Sequence, residues 1–308
     1  MSISVFIAGL LIVVAIYGIM AMALNLSYGQ TGLIDFGLMA WVAIGAYSYA
    51  LITVHPPTPL DDYAFGLNLP IWAGVLGAIL IPAVIAAFIG LPTLRLRGEY
   101  LAVAAYAFSM VVANVFTNEA WLTNGVRGFY GLDQPFRESF GTTGYQFFLL
   151  FLLVLIIAGL YFFLRTVSLA PFGRSLKSIR ESEEVAQSIG KNLFVFRMKA
   201  YVLSAAMLGL AGACYMWYTT VIAPSMFTET MTFTVWIALI LGGAGNYRGA
   251  LVGVLLLIGA QELSRFFQAS ADIAHLLAAF RHMSIGLLMI VVIRFRRRGL
   301  IPERKVVM

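Results

Sequence analysis

The chain has 308 residues, enough for two soluble domains, yet 61% of it is hydrophobic and only 11% is charged. Soluble globular chains average roughly 45–50% apolar and about 25% charged, so 20 basic and 14 acidic residues are too few to cover a soluble body of this length. The apolar residues come in unbroken runs without alternation, which excludes a β-barrel and reads as an all-α polytopic membrane protein. The net charge of +6 is therefore a topological signal, and no nucleic-acid partner is implied.

In chain order, apolar segments fall at 3–26, 33–53, 70–91, 100–117, 145–164, 200–221, 233–243, 250–267 and 282–293. This predicts a single transmembrane domain over 1–308, a bundle of about nine (eight to ten) transmembrane helices. The segments 233–243 and 282–293 must borrow neighbouring residues to cross a core about 30 Å thick. The first run lacks the Lys or Arg that opens a secretory signal, and no small-residue cleavage site follows it, so it reads as a retained helix. The single cysteine, Cys214, excludes an intrachain disulfide and reads as packing.

Residues 25–45 interrupt the apolar pattern. Gly29, Gly32 and Gly37 stand among Asn25, Ser27, Gln30, Thr31 and Asp35. Irregular backbone at membrane depth is tolerated only where protein or a water-filled cavity satisfies it. Two readings follow: a helix broken near residues 27–37 that lines a pathway, or a short cytoplasmic turn with Asp35 at the interface. Small residues recur four apart at Ala205, Gly209 and Ala213, at Gly249 and Gly253, and at Gly74 and Ala78. Such faces let membrane helices approach closely, and they predict one compact bundle.

The loop 165–199 is the one large polar element, and its centre reads as an amphipathic helix over 175–189. Leu176, Ile179, Ala186 and Ile189 share one face at helical spacing. Lys177 with Glu181, and Arg180 with Glu184, form i,i+4 pairs on the other, and Gly190 suits the position after the last turn. A helix lying on lipid favours basic residues on its polar face, so Glu181, Glu183 and Glu184 fit a helix that docks a soluble partner better. With this loop and the C-terminus cytoplasmic, 16 of the 20 basic residues lie inside, as the positive-inside rule requires. Arg127, Arg137, Arg265 and Arg281 are left outside. His55, His275 and His282 have no metal-ligand spacing, and no G-x-x-x-x-G-K-[ST] motif occurs, so no metal and no P-loop nucleotide site is expected.

Several blocks resemble one family. They are L-N-L-S-Y-G-Q-T-G-L-I-D-F-G at 24–37, L-P-T-L-R-L-R-G-E-Y-L-A at 91–102 and P-F-G-R-S-L-K-S-I-R-E-S-E-E-V-A-Q-S-I-G at 171–190. L-G-G-A-G-N-Y-R-G at 241–249 and R-R-R-G-L-I-P at 296–302 follow. In this order they resemble the LivM-type permease subunits of branched-chain amino-acid ABC importers. The resemblance implies a bacterial inner (cytoplasmic) membrane, a second homologous permease subunit, two P-loop ATPase subunits and a periplasmic solute-binding protein. ATP and Mg would be held by the ATPases, with no cofactor on this non-catalytic chain. It carries ATPase coupling onto Phe172, Gly173, Arg174, Leu176, Ile179, Arg180, Glu181, Glu183, Ala186, Ile189 and Gly190. Pathway lining falls on Gly29, Gln30, Thr31, Gly32, Asp35 and Gly37, with Asn124 and Gly125. Two departures stand out: T-N-G-V-R-G at 123–128 where the family has T-G-G-x-N-G-I, and R-R-G-L at 297–300 where it has R-P-Q-G-L. The first weakens a leucine-like specificity, since permeases for urea, short amides or aromatic acids look much the same. An ion-coupled secondary transporter is the alternative from another class; it would show buried acids within its spans.

Overall fold

A computed structural model describes residues 3–57, 62–96, 98–137, 140–266, 283, 286, 294 and 299–303. The first helix, α1 (Ile3–Leu24), runs on into a π-helical turn at Asn25–Gln30. After a non-helical stretch come α2 (Leu38–Thr53), α3 (Ile71–Thr93), α4 (Glu99–Asn118) and the one-turn α5 (Ala120–Thr123). Strand β1 (Phe129–Tyr130) precedes α6 (Thr142–Leu169), α7 (Pro171–Glu181), α8 (Glu183–Ser188) and α9 (Leu193–Thr219). Strand β2 (Val221–Ile222), α10 (Glu229–Gly242) and α11 (Tyr247–Phe266) complete the described elements.

Among the described residues, six helical stretches are long and apolar enough to cross a membrane: Ile3–Gln30, Ile71–Thr93, Glu99–Asn118, Gly144–Leu169, Leu193–Thr219 and Pro224–Gly242. The chain is thus mostly helical and multi-pass. The expected segment 233–243 does borrow neighbours, extending back through a 3-10 turn at Pro224–Met226. The expected segment 33–53 yields only the shorter apolar helix Leu38–Thr53, because its first residues are not helical. The expected segment 282–293 lies outside the described residues.

Small residues set the packing. A Cβ on Gly45 would collide with the backbone of Gly209, and one on Gly209 with the carbonyl of Ala78. Gly212 lies so close to α2 that a Cβ there would come within 2.8 Å of the Ala46 amide. Helices α2, α3 and α9 therefore touch backbone to backbone, as do α10 and α11 at Gly242 and Gly253. Between membrane helices, where lipid is as apolar as leucine, such close van der Waals contact replaces the hydrophobic drive. Helix α2 is buried along nearly its whole length, Trp41 and Tyr49 included. Trp72, Phe88, Tyr100, Phe151 and Phe162 instead face outward from the bundle, as lipid-facing side chains do.

The connections sort to two ends. At one, β1 pairs antiparallel with β2, Phe129 opposite Ile222, and Arg127 lies 3.6 Å from Asp62. The Tyr49 hydroxyl donates to the Asp133 carbonyl there, at 2.9 Å. At the other end, the Arg95 guanidinium sits 5.9 Å from the Phe194 ring centre, and the short 299–303 segment returns to the α10–α11 turn. Leu300 and Ile301 donate amide hydrogen bonds of 3.0 and 2.9 Å to the carbonyls of Leu241 and Gly242. The basic loops that the charge count grouped together, around Arg95 and 165–199, do share this end with the 299–303 segment.

Candidate functional site

The π-turn is the start of the break. Thr31 Oγ1 donates to the Ser27 carbonyl, and the amides of Gly32 and Leu33 close on Tyr28 and Ser27 at 2.8 and 3.1 Å. Gly32 has φ +78°, a conformation that side chains with a Cβ resist. From here the chain runs non-helically to Gly37 and then restarts as α2. Asp35 is buried, and its Oδ1 accepts the Gly37 amide at 2.7 Å, which turns the backbone into α2. Helix α10 adds two bonds: Trp236 Nε1 donates to the Asp35 carbonyl at 3.1 Å, and Thr232 Oγ1 accepts the Met39 amide at 3.2 Å. Residues 31–37 link two helices that run in opposite directions along α9, since α1 meets Ser204 at Ala23 and Tyr218 at Gly9 whereas α2 meets Tyr201 at Trp41 and Trp217 at Tyr49. Asp35 is buried and not at an interface. The interruption is embedded in protein, with Leu33, Asp35 and Gly37 all buried, as broken backbone at membrane depth demands.

The break is tied to the α10–α11 turn. Asn25 Oδ1 accepts the Gly245 amide at 2.7 Å, and Gln30 Nε2 donates to the Gly245 carbonyl at 3.0 Å. A Cβ on Gly29 would clash with the Asn25 side chain and come within 2.6 Å of the Gly245 amide. Gly29 is therefore required by close approach.

Above the break lies a cleft between α2 and α4, lined by Ala40, Ala43, Ser109, Val112, Phe116 and Phe227. Its walls are small and apolar, and Ser109 Oγ is already engaged with the Tyr106 carbonyl at 2.6 Å. Its free volume of about 10 Å³ is no more than one water needs, so no substrate side chain fits it as it stands.

The polar loop differs from the single amphipathic helix expected over 175–189. It is two helices, α7 and α8, broken at Ser182, whose extended backbone ends the first while its hydroxyl caps the second through the Val185 amide at 3.4 Å. Leu176, Ile179 and Ala186 are buried within the chain itself, Ile179 and Ala186 against Leu193 and Phe196 of α9. Their apolar face is thus covered by this chain itself. The break at Ser182 also changes the phase, so Ile189 leaves that face and stands 61% exposed. Neither i,i+4 pair forms: Lys177 and Arg180 both turn to Glu303, at 2.7 Å each, and Glu183 pairs with Arg197. Phe172 stacks on Phe196 at 5.8 Å, and Gly173 packs against the backbone of Val167 and Ser168. The surface left exposed includes Arg174, Glu181, Glu183, Glu184, Val185, Ile189 and Gly190. Gly190 does end the helix as expected, at φ +78°.

Asn124 and Gly125 lie at the opposite end of the bundle, away from the break. Asn124 takes a left-handed backbone, accepts the Asp62 amide at 3.0 Å and donates to the Gly128 carbonyl at 2.8 Å. Both shape a loop. Thr232, Trp236, Gly245 and Glu303 were not marked as site residues. The 241–249 block held the signal for Gly245, whereas Glu303, whose partners are distant in sequence, carried little. Among the described residues, no three His, Cys, Asp or Glu side chains gather as a metal site would require.

The family model for the branched-chain amino acid transport system permease component matches residues 6–293. The chain belongs to this family. It is 28% identical to the probable branched-chain amino acid transport permease protein LivM of Methanocaldococcus jannaschii, over 95% of this chain and 92% of that one. It is 27% identical to the high-affinity branched-chain amino acid transport system permease protein LivM of Escherichia coli, over 93% of this chain and 68% of the relative. The probable permease protein LivH of M. jannaschii is 25% identical over 82% of this chain and 78% of its own. No solved structure matches the chain.

Proposed function

We propose that the chain is the permease subunit of an ATP-driven importer, passing branched-chain or related amino acids from a periplasmic binding protein into the cytoplasm. In this reading it spans the bacterial inner membrane about nine times, C-terminus inside, and pairs with a second homologous permease. Two P-loop ATPases would dock on α7–α8 and supply the energy, while this chain catalyses nothing and holds no cofactor. The observation that carries the reading is the contact between the exposed polar helix pair and the break: Arg180 of α7 donates to the Gly29 carbonyl. A partner bound to α7–α8 would therefore sit one side chain away from the break.

One observation favours the ion-coupled alternative, the burial of Asp35 beside the break, since buried acids mark ion pathways. Reconstitution separates the two. Vesicles holding the assembled complex, with binding protein added outside, should accumulate leucine, isoleucine or valine only with ATP inside, and a protonophore should not matter. Uptake without ATP that collapses with the protonophore would establish the secondary transporter instead.

A further inference from the structure

We infer that Arg180 and Glu303 form a latch that transmits movement of α7 to the π-turn. Arg180 is the positioning residue and the 299–303 segment its anchor. The inference rests on the importer reading above and goes beyond it by assigning the transmitting groups.

One guanidinium spans two structures. Arg180 Nη1 donates to the Gly29 carbonyl in the π-turn, while Nη2 reaches Glu303 Oε2 at 2.7 Å. Lys177 Nζ, one helical turn earlier, holds the other carboxylate oxygen of Glu303 at 2.7 Å. The carboxylate therefore clamps α7 at two points, and its side chain is only 22% exposed, so solvent weakens the clamp little. Gly245 closes the joint from behind: with φ +91°, a Cβ there would come within 2.6 Å of Glu303 Oε2 and 3.1 Å of Arg180 Nη1. Four segments distant in sequence thus meet at one point: the π-turn, α7, the α10–α11 turn and the 299–303 segment.

The latch bears on an irregular joint. Asn25 and Gln30 each engage Gly245 through one end of the side-chain amide, and the backbone that carries them is a π-turn, a geometry that recurs at functional sites. Leu176 and Ile179 meanwhile anchor α7 through an apolar core that the latch does not share, so the element stays folded when the latch opens.

The test is the number of substrate molecules imported per ATP hydrolysed by the assembled complex in vesicles, compared among Arg180→Gln, Arg180→Lys, Glu303→Gln and the Arg180→Gln/Glu303→Gln double variant. The wild-type complex must first show ATP-coupled uptake; its failure would overturn the importer reading rather than the latch. Given coupling in the wild type, Arg180→Gln should assemble and hydrolyse ATP but import about tenfold less per ATP. Arg180→Lys should retain part of the coupling, and Glu303→Gln should lower the ratio several-fold. The double variant should be no worse than Arg180→Gln alone, as expected of groups acting as one unit. An unchanged ratio in Arg180→Gln, or additive losses in the double variant, would overturn the latch. Should Arg180→Gln not assemble, Glu303→Gln decides alone: a wild-type ratio there overturns it.

Discussion

Trp236 of α10 donates its indole hydrogen to the backbone carbonyl of Asp35 at 3.1 Å, across 201 positions of sequence. No helical partner exists for that carbonyl, because the chain is unwound there. The tryptophan stands in for the missing helix turn, and its ring packs on Phe36 and Tyr28 at 5.1 and 4.6 Å.

Trp236→Phe keeps the ring contacts and strands the carbonyl, so it should destabilise the protein by ~1–3 kcal/mol. Trp72→Phe, on the outward face, should leave stability unchanged. Unfolding of the detergent-solubilised chain, followed by fluorescence, checks both.

Gly29→Ala should cost roughly 1–3 kcal/mol through overpacking at Gly245, and Gly32→Ala about 1–2 kcal/mol through its left-handed backbone. Gly141→Ala has nothing within 4 Å of the new Cβ and an ordinary φ, so it should be neutral. The same unfolding measurement ranks them.

Ala43→Leu should overpack the narrow α2–α4 contact and destabilise the chain by ~1–3 kcal/mol, since Ala43 is buried there. Unfolding of the detergent-solubilised chain checks it.

Much of this was legible in the residues, for identifiable reasons. Apolar runs report membrane helices because lipid leaves the backbone no other partner. The break at 27–37 was legible as a cluster of glycines and short polar side chains, though whether it lay in the core or at the interface depended on α10, whose Thr232 and Trp236 bracket it. The α7 face was legible as amphipathic, but periodicity cannot say what covers an apolar face. Here α9 covers it, through Leu193 and Phe196. Ser182 ended the helix early because its side chain competes with the backbone and caps the next turn. Glu303 carried little local signal, since its partners lie more than 120 positions away.

That covering separates folding from docking. Ile179→Asp places a charge in a buried apolar site and should destabilise the chain by about 3 kcal/mol or more. Val185→Asp, at a position 60% exposed, should leave the unfolding midpoint unchanged while the ATPase no longer co-purifies.

Site-directed crosslinking tests most directly the claim that α7–α8 is where an ATPase engages this permease. Cys214 is buried and unpaired, so a cysteine introduced on the surface reports with little background. Ile189→Cys, 61% exposed beside α8, should crosslink to the ATPase subunit in the assembled complex, while Phe136→Cys at the opposite end should not. A crosslink from position 136 to the ATPase, or none from position 189 in a complex that hydrolyses ATP, would contradict the account.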